Sequence, residues 1–193
     1  MDSYKTINNN AEGYYTDKRS KFYAFAHHVE SAEEVKILLA GYRKKYYDAR
    51  HICWAYRLGP AGEDFRMNDD GEPSSTAGKP IYGQMLSHEL TDIVVFVVRY
   101  YGGVNLGTSG LIVAYREATI DALNNAEIEE RIVESLIEFS FPYSMINGVM
   151  KVVKELNPRV VDQTFDNTCT IKLAIRESMA EQLQQRLGKL SFE

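Results

Sequence analysis

Apolar positions recur along the chain in two periods. From Ser20 to Val29, Phe22, Ala24 and Ala26 alternate with Lys21, Tyr23, Phe25 and His27, the period-two signature of a strand. After Ser31 the period lengthens. Val35, Leu38, Leu39, Tyr42 and Tyr46 share one helical face, and Ser31 with Glu34 forms a capping box at its start. His51–Leu58 and Asp64–Asn68 read as a strand hairpin around the turn Gly59-Pro60-Ala61-Gly62. Ala77–Glu89 reads as a helix capped by Ser75 or Thr76, with Pro80 in its first turn and Ile81, Met85 and Leu86 inward. Ile93–Val98 is apolar at every position, which predicts a central strand covered on both faces. A helix from about Leu106 to Asn125 buries Leu111, Tyr115, Ala118 and Ala122, broadened by Ile112, Thr119 and Leu123. Residues 1–18 are polar and Asn-rich and are expected to be frayed or on an edge.

The pattern changes after Asn124-Asn125-Ala126-Glu127, which is expected to separate a domain of residues 1–127 from one of residues 128–193. Val133, Ile137, Phe139 and Phe141 share strand parity. A helix from Ser144 to Leu156 follows, with Ile146, Val149, Met150 and Val153 inward, and stops at Asn157-Pro158. Strand Arg159–Phe165, a turn at Asp166-Asn167 and strand Thr168–Ile175 come next, the last with Cys169, Ile171, Leu173 and Ile175 on one face. A second capping box, Ser178 with Glu181, opens a helix bearing Met179, Leu183 and Leu187, with Gly188 as its expected C-cap. The order β-α-β-β-α predicts a ferredoxin-like unit whose last strand is short or absent. The fold class is therefore α+β in two domains.

Composition refines this picture. Hydrophobic residues make up 45% of the 193, enough for a real core, and 13 are tyrosine, whose polar tip suits a groove or an interface. The net charge of −5 is spread so that neither half is basic. There is no broad nucleic-acid charge signature, and any contact with RNA or DNA has to come from a local patch. Arg43, Lys44 and Lys45 read as cations suited to a helix C-terminus in preference to a nucleic-acid patch, the other reading of this triplet. Two distant cysteines without C-x-x-C are expected to be reduced thiols. The start, Met-Asp-Ser-Tyr-Lys, has no apolar h-region, and Ile93–Val98 is too short to span a bilayer, so the chain is expected to be cytoplasmic and away from membranes. The oligomeric state is not legible.

Candidate chemistry gathers in two polar loops, Asp69–Gly78 and Tyr100–Gly110, on either side of the apolar strand. Asp69, Asp70 and Glu72 lie within four residues and repel one another unless a positive group is near: a hard cation, or Lys79, Arg99 or Arg50. A solvated turn is the plainer alternative. The spacing does not match an EF-hand, so no metal is assigned. Ser74–Lys79 is not a Walker loop, because Pro80 follows the lysine. Thr76, Gly78 and Lys79 can hold an anion at a helix start or simply cap the helix. Gly102, Gly103, Gly107 and Gly110 let a backbone approach a ligand or another segment, but the pattern is not G-x-G-x-x-G, and no cofactor is assigned. His51, beside Arg50, is the best candidate for proton transfer or anion contact. No Ser/His/Asp order or H-E-x-x-H is present, and Cys53 sits in an apolar strand that favours an inert thiol. No residue is assigned a catalytic role. The candidate ligand-binding set is Arg50, His51, Asp69, Asp70, Glu72, Thr76, Gly78, Lys79, Arg99, Gly102, Gly103 and Gly107.

The run D-D-G-E-P-S-x-T-A-G-K-P-I, then the apolar strand, R-Y-x-G-G-x-x-L-G-x-x-G-L and A-Y, resembles the signature of the YigZ/IMPACT family. Asp48-Ala49-Arg50-His51 and Cys53-Trp54-Ala55-Tyr56 fit it too, and the C-terminal half looks like the accessory domain of bacterial members. The resemblance implies an N-terminal β-α domain like the second domain of a small-subunit ribosomal protein, and a C-terminal domain like the ferredoxin-like modules of elongation factor G. Eukaryotic IMPACT proteins act in translational control with help from an RWD domain that is not found in this sequence, so that particular role does not transfer. Three positions depart from the pattern: Ser75 replaces the usual Gly, Thr108-Ser109 replaces a Gly/Ala pair, and Ile112-Val113 lacks an Arg before Ala114-Tyr115. The expectation is a non-enzymatic regulator or binding protein in translation or stress control, contacting RNA, the ribosome or a translation factor through the two loops. The alternative is an enzyme acting on a small phosphorylated or anionic ligand at the same cleft, with His51 as acid/base and Asp70 and Glu72 as base or metal ligands.

Overall fold

The computed structural model describes residues 2–190. Their contacts form two compact units, one of residues 4–131 and one made by residues 2, 3 and 132–190. Both mix helices with antiparallel sheet, so the fold is α+β in two units.

The larger unit is built on strands β1 (Ser3–Ile7), β2 (Ala11–Asp17), β3 (Ser20–His28), β4 (His51–Leu58), β5 (Asp64–Asn68), β6 (Ile93–Tyr100) and β7 (Ile128–Ile132), with helices α1 (Ala32–Lys45), α2 (Gly78–Ser87) and α3 (Gly107–Asn124). Five strands form one antiparallel sheet in the order β2-β3-β6-β4-β5. The uninterrupted apolar run of β6 is explained by this position: it lies at the centre and both faces are covered. Ile93, Val95 and Val97 join Phe22, Ala24, Cys53 and Ala55 in a core against α2 and α3. Val94, Phe96 and Val98 join Phe25, Ile52 and Trp54 against α1. Arg99 continues the parity of Val97, so its side chain enters the α3 side.

Several local expectations need correction. Of the two expectations for the N-terminal stretch, the edge position holds and fraying does not: among residues 2–18, β1 pairs with β7, and β2 is an edge strand of the main sheet, with Ile7 and Ala11 buried. The β1–β7 pairing is long-range and leaves no local pattern, whereas β2 pairs with β3 across the turn at Lys18-Arg19. The N-cap of α2 is neither Ser75 nor Thr76; Ala77 holds that position, and the Asp69 carboxylate accepts from its N–H. Leu86 is exposed on α2, whose core contacts come from Ile81 and Met85 with Tyr82 partly buried beside them. Glu34 closes its box on the Glu30 N–H (2.9 Å), one residue before the cap, while Ser31 accepts from Glu34 N.

The smaller unit contains β8 (Glu134–Pro142), α4 (Ile146–Leu156) behind a single 3-10 turn, β9 (Arg159–Phe165), β10 (Thr168–Arg176) and α5 (Glu177–Lys189). The sheet order β8-β10-β9, antiparallel throughout, is that of a ferredoxin-like unit without its fourth strand. Cys169, Ile171, Leu173 and Ile175 line its core as expected. Met150 is exposed and Val152 is buried in its place. Ser178 does not form a capping box with Glu181; its N–H and hydroxyl both donate to the Asp2 carboxylate (2.9 and 2.7 Å). Gly188 lies inside α5 rather than capping it. No helix among the described residues is long and apolar enough to cross a membrane.

On the α1 face, His27 sits between two polar partners, with Nε2 2.5 Å from Tyr42 Oη and Nδ1 3.1 Å from Asn10 Oδ1. Burial lowers the His27 pKa and raises that of Tyr42 to about 12, so a neutral imidazole accepts from a protonated phenol. A histidine whose folded pKa is depressed contributes stability above its unfolded value, near 6.5, and loses it as the pH falls toward the folded value. Thermal unfolding followed between pH 7.5 and 5 should therefore show a fall in melting temperature on acidification. The fall should be smaller in His27→Gln.

Candidate functional site

One end of the main sheet collects the loop after β5, the loop after β6, the end of α1 with the start of β4, and the β2–β3 turn. The register explains the convergence. His51, the first residue of β4, lies directly opposite Arg99 near the end of β6, and Phe22 lies opposite Arg99 on the other side. All three share the parity that faces α3.

The centre of this end is a buried carboxylate. Glu72 accepts two hydrogen bonds from Arg99 Nη1 (2.8 and 2.7 Å) and one from the Tyr115 hydroxyl (2.5 Å), and its Oε1 lies 3.2 Å from His51 Nε2. The Glu72 and Arg99 side chains are 3% and 6% exposed, so the pair is shielded from water. The Arg99 guanidinium lies over the rings of Phe22 (5.5 Å) and Tyr101 (5.6 Å), and its Nη2 reaches Ser20 Oγ at 3.5 Å. A second line of bonds runs behind it. Cys53 Sγ lies 3.3 Å from Tyr115 Oη and 3.1 Å from the Asp69 carbonyl. Burial first, then the nearby acidic groups, push the Cys53 thiol well up. Burial first, then the neighbouring Cys53 and Glu72 side chains, do the same to the Tyr115 phenol. Both groups therefore stay protonated at neutral pH.

The other carboxylates of the loop are also engaged. Asp69 Oδ1 accepts from Ala77 N (3.2 Å) and Gly78 N (2.8 Å), and Oδ2 accepts from Ser75 N (2.9 Å), so one side chain closes the loop and caps α2. Asp70 Oδ2 accepts from Ile52 N (2.7 Å), while the Asp70 carbonyl lies 2.6 Å from His51 Nδ1. Of the three cations that could neutralise this acidic run, Arg99 is the one in contact. Among the described residues no group of three or more His, Cys, Asp or Glu is placed to hold a metal ion.

The twelve candidate residues thus separate by contact. His51, Asp69, Asp70, Glu72 and Arg99 form one connected network. Thr76 is buried and donates to the Pro73 carbonyl (2.5 Å). Gly78 packs so tightly that a Cβ would stand 2.8 Å from Asn68 N, and at Gly102 it would stand 2.2 Å from the Arg19 carbonyl carbon. These two glycines serve close backbone approach. Arg50 is exposed, with its guanidinium 5.4 Å from the Tyr101 ring and its N–H donating to the Arg99 carbonyl (2.9 Å). Lys79, Gly103 and Gly107 are exposed, the two glycines in left-handed backbone. Lys79 lines a cavity of 370 Å³ with Ser75, Pro80 and Ile112.

Tyr115, Cys53 and Ser20 belong to the network and were missed as site residues. Tyr115 sits in an apolar helical stripe and reads as core. Its one signal is that a buried phenol needs a hydrogen-bond partner.

Residues 18–123 match the family model described as the Impact N-terminal domain. The chain is 31% identical over 176 residues to an IMPACT family member of Haemophilus influenzae, an alignment spanning 90% of this chain and 85% of that one. It is 27% identical over 176 residues to the IMPACT family member YigZ of Escherichia coli, spanning 90% and 86%. A crystal structure of a hypothetical protein superposes with a TM-score of 0.74 at 26% identity, covering 99% of this chain and 94% of that one.

Two substitutions test the network. Glu72→Gln leaves a buried guanidinium without its counter-charge, which costs about 3–5 kcal/mol. Chemical denaturation should show a loss of that size. Ser75 occupies left-handed backbone at φ 64°, a conformation that costs an L-residue roughly 1 kcal/mol and glycine almost nothing. Ser75→Gly should keep the Asp69 bond and raise the denaturation midpoint.

Proposed function

The chain belongs to the IMPACT family, and from that membership we propose that it is a non-enzymatic binding protein in translational control. It contacts RNA, the ribosome or a translation factor through the sheet end formed by Asp69–Gly78 and Arg99–Gly107. Family membership supports the translational setting. A single observation supports binding rather than catalysis: the reactive side chains at this end are engaged with one another. Each His51 ring nitrogen has a partner, the Asp69, Asp70 and Glu72 carboxylates are all bonded internally, and the Cys53 thiol is buried and protonated. What faces outward on the two loops is backbone and side chains that carry no paired chemistry, including Ser74, Lys79, Gly103, Val104 and Tyr101, with Arg50 beside them.

One observation favours the alternative. Lys79 and Ser75 line a cavity beside the start of α2, where an anionic small molecule could be held.

Co-sedimentation of the full chain with ribosomes at low and moderate salt tests the binding reading. The protein should pellet with ribosomes, and Val104→Asp or Ser74→Glu should reduce the pelleted fraction several-fold without changing the melting temperature. Absence of pelleting, together with a sugar phosphate or nucleotide that raises the melting temperature in a manner lost in His51→Ala, would replace this reading with the enzymatic one.

A further inference from the structure

The same sheet end carries a charge segregation that the overall acidity conceals. Strand direction places the β2–β3 turn, the last turn of α1 and the start of β4 at the end where β6 terminates. Lys18, Arg19, Lys21, Lys44, Lys45 and Arg50 all come from these segments, and all six are exposed. None of them makes an ion pair among the described residues, whereas Lys5, Arg116 and Arg131 elsewhere in the unit do. Two carboxylates, Asp17 and Asp48, lie nearby, and Asp48 accepts from the Tyr100 hydroxyl at 2.9 Å. The acidic loop does not cancel the cations, because Asp69, Asp70 and Glu72 are turned inward and satisfied. At the opposite end of the sheet stand Glu30, Glu33, Glu63 and Glu89, where the cations Lys5 and Arg131 are paired with Glu89 and Glu30.

Two exposed aromatics sit among the cations. Tyr47 is 84% exposed and Tyr101 is 42% exposed, with the Arg50 guanidinium 5.4 Å from the Tyr101 ring. Tyr47, the more open of the two, makes no aromatic or cation contact among the described residues, whereas the Tyr101 ring packs against Arg50 and Arg99. The turn bearing Lys18 and Arg19 holds both in left-handed backbone (φ 44° and 67°). Hairpins normally use Asn or Gly there, so the pair of cations is kept at a conformational cost.

We infer that this end of the sheet binds single-stranded RNA, with Lys18, Arg19, Lys21, Lys44, Lys45 and Arg50 meeting phosphates and Tyr47 and Tyr101 meeting unpaired bases. The inference rests on the reading of this end as a binding surface and names its partner. The chemistry is complementary on both counts: cations neutralise the backbone and release counter-ions, while flat faces stack on bases that only a single strand offers. An acidic protein would satisfy the cations but leave the open Tyr47 face without a role. The helix-dipole account of Lys44 and Lys45 explains why α1 tolerates them there; it does not explain Lys18, Arg19, Lys21 and Arg50 beside them.

Fluorescence anisotropy of a labelled oligouridine of about 20 nucleotides, titrated with the full chain at several salt concentrations, tests this. Binding at low salt should weaken steeply as salt rises. The double substitution Lys44→Gln with Lys45→Gln should reduce the slope of log Kd against log salt by about 1.4, at roughly 0.7 per phosphate contact. Tyr47→Ala should weaken binding roughly tenfold and leave the slope unchanged. Both variants alter exposed side chains, and unchanged melting temperatures would show that they fold. No binding at low salt, or variants that bind like the parent, would overturn the inference. So would displacement of the oligouridine by polyglutamate at equal charge concentration, which would point to an acidic protein partner. Ribosome co-sedimentation that persists without oligouridine binding would sink this inference alone; loss of both would bring down the binding reading as well.

Discussion

The buried pair of Glu72 and Arg99 is the constraint on which this end of the molecule depends. It joins a loop to the end of the central strand, and both side chains are nearly inaccessible to water. A pair so placed gains little net stability over a well-packed apolar alternative, because desolvation offsets most of the attraction. Its effect is positional. With Glu72 held by Arg99, His51 and Tyr115, the Asp69–Gly78 loop has one place to lie. Asp69 then lies where it can cap α2, and Asp70 where it can close the start of β4. Loops of this composition carry no core of their own, so the ordering comes from these bonds.

The network also decides what the acidic run is for. Three carboxylates within four residues suggest a cation site when met in isolation. Here each has internal donors: one a guanidinium, one the first turn of a helix, one a strand N–H. The loop's negative charge is spent inward, and the outward potential at this end is set by the lysines and arginines around it. A protein with a net charge of −5 can in this way present a locally cationic surface, since at physiological ionic strength charges more than about 8 Å away are largely screened.

Much of the scaffold was legible because it follows from period and parity. The all-apolar Ile93–Val98 run demanded a central strand, and extending its parity by two residues points Arg99 inward. The β4–β5 hairpin and the one-sided strand at Cys169–Ile175 were equally local. What escaped depends on partners distant in sequence. β1 pairs with β7 across most of the unit, so neither carries a signal of its own. Asp69 caps a helix that begins nine residues later, outside any capping motif. Ser178 fits a capping box but bonds to Asp2, because that carboxylate arrives from the other end of the chain. The candidate site was legible as a place and not as a mechanism: its motif residues converge, but whether a carboxylate faces solvent or a buried arginine is a matter of packing.

Backbone strain gives this end a further coherence. Lys18, Arg19, Asp70 and Ser75 all adopt left-handed backbone without being glycine, at a cost of order 1 kcal/mol each. Such conformations persist only where the surroundings over-determine them. Here the surroundings are explicit: Asp69 holds the Ser75 N–H, Ile52 N holds the Asp70 carboxylate, and Gly102 packs against the Arg19–Ser20 backbone with no room for a side chain. Strain occurs elsewhere too, at Glu89 and Asp92 on the opposite end, so strain alone marks no site. The distinction lies in what it displays. At the far end, the Asp92 side chain turns inward to bond Gly59 N. At the near end, the strained turn of Lys18 and Arg19 projects two exposed cations that make no ion pair among the described residues. The frame at this end turns its own reactive groups inward while holding cations outward, so the strain and the buried pair serve the same arrangement.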